Sequence, residues 1–262
     1  MKKRYLRKCA LLLLPGFLGV AVFYLIPFFR VIYYSFIENQ FSRKFVWFEN
    51  YKTVLQNTYF RMALKNSLLL IGIAVPVLVV AAFALSVLLQ RLEGKWKLFR
   101  IAFIFPMLIP TASIVVVWRM LFQGSESVLP VYLLFIYKNI GLLIILFSAA
   151  FSTLDNSVFE AARLDGAGGL RMHLGITLPL IFPTVLFNVL LAVVYSFKIF
   201  RESYLYFGTN YPPDHSYTLQ YYMNNHFMKL NYQYLAAGAV LTSLLVYVIV
   251  LIGVKLQKKV SV

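Results

Sequence analysis

Charge is the scarcest ingredient of this chain: 13% of its 262 residues are Asp, Glu, Lys or Arg, against 61% that are hydrophobic. A water-soluble domain needs roughly 25% charged residues to cover its surface, so the composition excludes an ordinary soluble fold. Acids are scarcer still, 9 against 25 Lys and Arg, which leaves a formal net charge of +16. Such an excess also marks nucleic-acid binders, but here the cations fall between apolar blocks, the layout that membrane insertion leaves behind. Cysteine is nearly absent. Cys9 stands alone, so no internal disulfide can form, and Arg7 and Lys8 before it are not the flank of a lipid-attachment site. His173, His215 and His226 lack paired metal-ligand spacing, so no metal site is expected. No Gly-x-x-x-x-Gly-Lys-Ser/Thr phosphate loop occurs, and Asp155, Glu160 and Asp165 have no nucleophile and base beside them. The chain therefore reads as non-catalytic and as holding no cofactor of its own.

What is abundant is uninterrupted apolar sequence. A bilayer crossing needs about 20 such residues. Ala10 to Phe29, Ser67 to Leu89, Ile101 to Trp118, Ile176 to Phe197 and Tyr234 to Val254 meet that length. Val128 to Ser152 meets it too, despite Lys138 and Asn139 in its interior. The expected fold is an all-α membrane protein of about six transmembrane helices, with residues 1–262 as a single transmembrane domain. The cationic start resembles a signal peptide but has no small-x-small cleavage site, so it is expected to stay as the first helix.

Flanking cations set the orientation. With the N-terminus inside, 14 fall on the cytoplasmic side (Lys2, Lys3, Arg4, Arg7, Lys8, Arg91, Lys95, Lys97, Arg100, Arg163, Arg171, Lys255, Lys258 and Lys259) and 10 outside. The inner segments are shorter and the cluster before the first helix is dense, so both termini are expected in the cytoplasm of a multi-pass cell-membrane protein. The long outer loops, from about Arg30 to Asn66 and Lys198 to Gln233, are rich in aromatic residues suited to headgroup level.

One inner segment has features that membrane crossing does not require. Between the fourth and fifth spans, Val158, Ala161, Ala162 and Asp165 are spaced to give a short helix a small-residue face beside Glu160 and Arg163. Asp155 or Asn156 suits the cap at its start. Gly166 can take a positive φ and end the helix, and Pro179 suits the first turn of a new one.

Glu160-Ala161-Ala162, then Asp165-Gly166-Ala167, then Ile176-x-Leu178-Pro179, with nine residues between Gly166 and Ile176, resembles the EAA loop of binding-protein-dependent ABC importer permeases. Tyr34-Ser35-Phe36, Phe48-Glu49-Asn50-Tyr51-Lys52, Ser196-Phe-Lys-Ile-Phe200 and Tyr234-Leu-Ala-Ala-Gly238 extend the resemblance over nearly the whole chain, toward the carbohydrate type. It implies that the loop is a cytoplasmic coupling helix carrying Glu160, Ala161, Ala162, Asp165, Gly166, Ala167, Ile176, Leu178 and Pro179, docked on a separate ATPase. It also implies a second homologous permease, two ATPase subunits that bind ATP and Mg, and an extracellular solute-binding protein. The sequence departs from the family at Leu154 to Val158 and at Gly208 to Pro213, and the latter weakens any naming of the solute.

The polar residues within spans are the candidates for the solute path: Lys138, Asn139, Asn188, Tyr195 and Ser196. Structural uses compete with that role, since Lys138 can snorkel or reach a partner subunit and Asn188 can join helices. Lys198 and Arg201 read as interfacial anchors. An amino-acid or peptide permease is the alternative within the class. An ATP-independent transporter predicts acids inside the membrane, which the predicted spans lack, and an embedded enzyme predicts clustered His or acids.

Overall fold

The computed structural model describes residues 2–90 and 96–260. Arg91 and Lys95 of the inward cation tally lie outside the described residues, as do the side chains of Lys2, Lys3, Arg4, Arg7, Lys8, Cys9, Lys97, Arg100, Asn156, Lys258 and Lys259. The helices in chain order are α1 (Lys2–Val20), α2 (Ile26–Ser35), α3 (Glu49–Gln56), α4 (Thr58–Gln90), α5 (Trp96–Leu108), α6 (Thr111–Leu121) and α7 (Leu129–Phe151). They continue as α8 (Asn156–Leu164), α9 (Gly169–Met172), α10 (Leu178–Leu180), α11 (Phe182–Ser196), α12 (Phe200–Phe207), α13 (Leu219–Met228) and α14 (Tyr232–Val260). Among the described residues there is no strand, only one antiparallel bridge between Ile37 and Phe45. The all-α membrane class is thus the observed one.

Among the described residues, four helical stretches are long and apolar enough to cross a bilayer: Leu11–Ser35, Thr58–Gln90, Leu129–Phe151 and Tyr232–Gln257. Six is reached only when two bent pairs each count as one crossing. The expected third and fifth spans are therefore not straight helices. Between α5 and α6 the chain turns by 102°. Pro110 holds an extended backbone there (φ −53°, ψ 131°), offers no N–H to continue α5, and lends its carbonyl to the N–H groups of Ser113 and Ile114. The second turn, 75° before α11, falls at Ile181, just ahead of Pro183.

The chain passes two other prolines by a different device. Ala21–Leu25 and His173–Thr177 are π-helical turns. Each lies just upstream of a proline: Ile26 donates five residues back to the Ala21 carbonyl before Pro27, and Leu178 does the same to His173 before Pro179. Widening the turn makes room for a ring that would otherwise press on the carbonyl four residues earlier. The first helix thereby continues through Pro27 to Ser35, beyond the expected end at Phe29.

The chain falls into two compact units, residues 1–61 with 222–244 and residues 62–221 with 245–262. In the first, a clamp follows α2. Asn50 of α3 donates its amide to the Ser35 and Ile37 carbonyls at 3.0 and 2.8 Å, and the Ser35 and Tyr51 hydroxyls meet at 2.6 Å. Asn50 thus satisfies a carbonyl orphaned at the end of α2. Two of the sequence runs that carried the family resemblance are the two halves of this joint.

The second unit holds the main core. Leu70, Ala74, Leu78 and Ala82 form a stripe of four-residue spacing on α4, with Leu134, Leu143, Ile144 and Phe147 of α7 in the same cluster. Ser86 donates to the Ala82 carbonyl and to that of Ile144 on α7 at 3.3 Å. The other faces of α4 expose Ile73, Val77 and Val80, as lipid contact allows and water does not. Gly141 is where α7 passes the α5 backbone: a Cβ added there would lie 1.9 Å from the Phe103 carbonyl oxygen. Gly141→Ala is expected to lower stability by about 1–3 kcal/mol, at the upper end because the obstacle is backbone. Thermal unfolding in detergent measures it, and an unchanged midpoint would refute the close approach.

Candidate functional site

Lys138 stands in mid-helix on α7, where a cation without a partner is costly. Its Nζ donates to Thr111 Oγ1 at 2.9 Å and to Glu202 Oε1 at 2.5 Å, both ion-pair side chains being about 15% exposed or less. One ammonium thus ties three elements. Thr111 is the first residue of α6 after the sharp turn, and Glu202 sits in the first turn of α12, where the helix dipole favours an acid.

Around this pair is a cavity of about 210 Å³. Its polar wall is Lys138, Asn139, Tyr195, Lys198 and Glu202, and its apolar wall Met107, Phe135 and Ile199. Asn139 donates its amide to the Phe135 carbonyl at 2.7 Å. Lys198 lies 5.2 Å from the Tyr195 ring centre, a cation over an aromatic face. The wall therefore offers both charge signs, an amide and an aromatic ring, a set able to bond hydroxyls and stack on the apolar face of a ring-shaped solute.

Of the five residues expected on the solute path, Lys138, Asn139 and Tyr195 meet at this cavity. Asn188 and Ser196 do not. Ser196 donates back to the Val193 carbonyl at 2.7 Å, a bond within α11. Asn188 is wholly buried, and neither atom of its amide meets a hydrogen-bond partner among the described residues. Lys138 turns to Glu202 rather than to headgroups, and Lys198 lines the cavity instead of serving only as an anchor. Glu202 and Thr111 escaped the sequence reading. The signal for Glu202 was indirect: an intramembrane cation implies a carboxylate, and the chain has only 9 acids to choose from.

The segment after α7 has the expected build. Asp155 caps α8 by accepting from the Ser157 N–H at 3.0 Å, and that backbone bond, with a second from the Ser157 side chain, lowers its pKa below the ordinary carboxyl value. At the other end Gly166 takes φ +75°, its N–H bonding Arg163 while that of Ala167 bonds Ala162, the paired closure of a Schellman motif. Glu160, Ala161, Asp165 and Gly166 are exposed, Ala167 and Ile176 are half-buried, and Pro179 is exposed in α10 beside half-buried Leu178. Ala162, expected on the docking face, is instead 7% exposed within the chain's own packing. The open apolar stripe is Val158, Ala161 and Leu164, with Leu164 90% exposed, and Leu164 was not among the expected residues.

Residues 68–262 match the family described as binding-protein-dependent transport system inner membrane component, and the chain belongs to that family. The arabinooligosaccharides transport system permease protein of Bacillus subtilis (strain 168) is 27% identical over 93% of this chain and 86% of its own. The sn-glycerol-3-phosphate transport system permease protein of Yersinia pestis is 26% identical over 71% and 72% of the two chains. The sulfoquinovosyl glycerol transport system permease protein of Agrobacterium fabrum (strain C58 / ATCC 33970) is 24% identical over 85% and 82%. A chain in the crystal structure of a bacterial ABC transporter involved in the import of the acidic polysaccharide alginate shares the fold, with a TM-score of 0.80 at 20% identity over 98% of this chain and 96% of that one.

Two outcomes test this geometry. In a cycle of Lys138→Met, Glu202→Gln and the double variant, the single changes are expected to cost more than their combination implies, with a coupling of about 0.5–3 kcal/mol; additive losses would contradict the pair. Asn188→Leu, which removes an unpartnered amide, is expected to raise stability by about 1–3 kcal/mol in the same thermal measurement, and a lowered midpoint would show that the amide is satisfied.

Proposed function

We propose that this chain is a transmembrane permease subunit of an ATP-driven ABC importer for a carbohydrate, with residues 1–262 acting as one transmembrane domain. Family membership supports the transport role. The sugar assignment is supported by relatives whose names carry arabinooligosaccharides, sulfoquinovosyl glycerol and sn-glycerol-3-phosphate. The cavity at Lys138 and Tyr195 suits polyhydroxylated solutes. At about 210 Å³ it is smaller than the ~300–1,000 Å³ of complete ligand sites, which agrees with a path completed by a second, homologous permease.

In this reading α8 is the coupling helix, turned to the cytoplasm with both termini. Two ATPase subunits, which bind ATP and Mg, move α8 as a rigid body, and a solute-binding protein delivers the cargo outside. A solved transporter with the same fold was crystallised with an alginate pentasaccharide-bound periplasmic protein, which supports the last partner. The observation that carries the reading is the apolar stripe of α8. Leu164, at 90% exposure, continues exposed Val158 and Ala161 into one apolar stripe, and a contiguous stripe of this kind supports docking in a groove on another protein. Glu160 adds a surface charge of small worth, so shape fit around Ala161 and Leu164 dominates.

Leu164→Glu is the direct test. Because Leu164 makes little contact within the chain, its thermal midpoint is expected to stay unchanged while binding-protein-dependent uptake falls at least about tenfold, equivalent to about 1.4 kcal/mol of lost coupling. Normal uptake by this variant refutes docking through α8. Ala162 is the weaker site for such a test, since a bulky residue there disturbs the segment's own packing.

A further inference from the structure

The loop that follows the first membrane helix has no part in the transport reading, yet it is built with care. Glu38 donates its N–H to the Lys44 carbonyl and Val46 to the Phe36 carbonyl, both at 2.8 Å, which closes residues 36–46 into a small hairpin. Its tip is an Asx turn: the Asn39 side chain accepts from the Phe41 and Ser42 N–H groups at 2.9 and 2.8 Å. The Asn50 and Tyr51 clamp fastens its base to the last turn of α2.

What this scaffold holds out is a contiguous aromatic surface. Phe36 stacks on Phe45 at 5.7 Å and meets Phe48 edge-on, and Phe45 meets Trp47 at 4.9 Å. Trp47 and Phe48 are each 67% exposed and Phe41, at the tip, 97%, next to exposed Arg43 and Lys44. Trp47 and Arg43 both sit at positive φ, +53° and +49°, a conformation that bulky side chains rarely adopt. Strain of this kind persists only where the surroundings impose it, and here it turns an indole outward.

We infer that residues 36–48 form an interfacial anchor: the aromatic face and adjoining cations lie in the lipid headgroup layer at the C-terminal mouth of the first helix. Position argues for lipid. Leu11–Ser35 spans 25 residues, about 37 Å at ~1.5 Å per residue, more than the ~30 Å hydrocarbon core. Its last turn therefore emerges at headgroup level, and the hairpin begins at the next residue. Exposed Trp and Phe with flanking Arg and Lys is the composition that layer selects. The inference needs only that the first helix crosses the bilayer, and it stands or falls independently of the coupling role of α8.

The test uses the full chain in nanodiscs. Cys9→Ser removes the sole cysteine, and Gln40→Cys, on the exposed tip, carries a nitroxide whose collisions with oxygen and with a water-soluble nickel chelate report depth. In discs of phosphatidylethanolamine and phosphatidylglycerol, the nickel collision rate is expected to be severalfold below that of the free label. Adding Phe41→Ser and Trp47→Asn, the latter because Asn tolerates positive φ, should restore it without moving the thermal midpoint. A label as open to nickel as the free nitroxide overturns the inference. So does shielding that appears only when co-purified subunits are present, which assigns the surface to a protein partner, or shielding that survives the double change.

Discussion

A polypeptide in hydrocarbon has no water to satisfy its N–H and C=O groups, and that constraint organises what is seen here. Helix is the available answer, but the chain carries 10 prolines, each of which removes a donor. At Pro27 and Pro179 a π turn keeps the helix going; at Pro110 and ahead of Pro183 the helix breaks, and nearby carbonyls are taken up by the next helix. The same accounting governs Lys138. Its ammonium is tolerated because Thr111 and Glu202 meet it, and the turn before α6 is what delivers Thr111.

Rigidity and handle follow from these choices. Helices that pass as closely as α5 and α7 at Gly141, joined by packed side chains and hydrogen bonds such as that of Ser86, favour movement as bodies over bending. A short helix closed at both ends, by Asp155 and by the Gly166 turn, suits the proposed transmission of force because little of a push would be lost in fraying. The cavity at Lys138 lies where α7, α11 and α12 contribute side chains, so a change in their arrangement would alter its walls directly.

Much of this was legible in the sequence. Hydropathy located all six apolar segments, and the caps of α8 were readable because Asp155 and Gly166 act on their immediate neighbours. Direction was not legible: hydropathy is blind to the 102° and 75° turns, although Pro110 and Pro183 were there to be read as breaks. Nor was the partner of Lys138, which lies 64 residues away and outside any predicted span. The burial of Ala162 and exposure of Leu164 depend on which side of α8 the chain itself covers, and helical spacing alone does not say. Asn50 and Tyr51 were visible only as part of a resemblance, since their role needs α3 folded back onto the end of α2.

In the proposed function a nucleotide-driven partner supplies the work. It is tested most directly by reconstituting the complete wild-type complex in vesicles with its loaded solute-binding protein on one side and MgATP on the other. Solute is expected to accumulate only when MgATP is on the side that carries α8. Accumulation of equal extent without nucleotide, driven by an ion gradient alone, would contradict it.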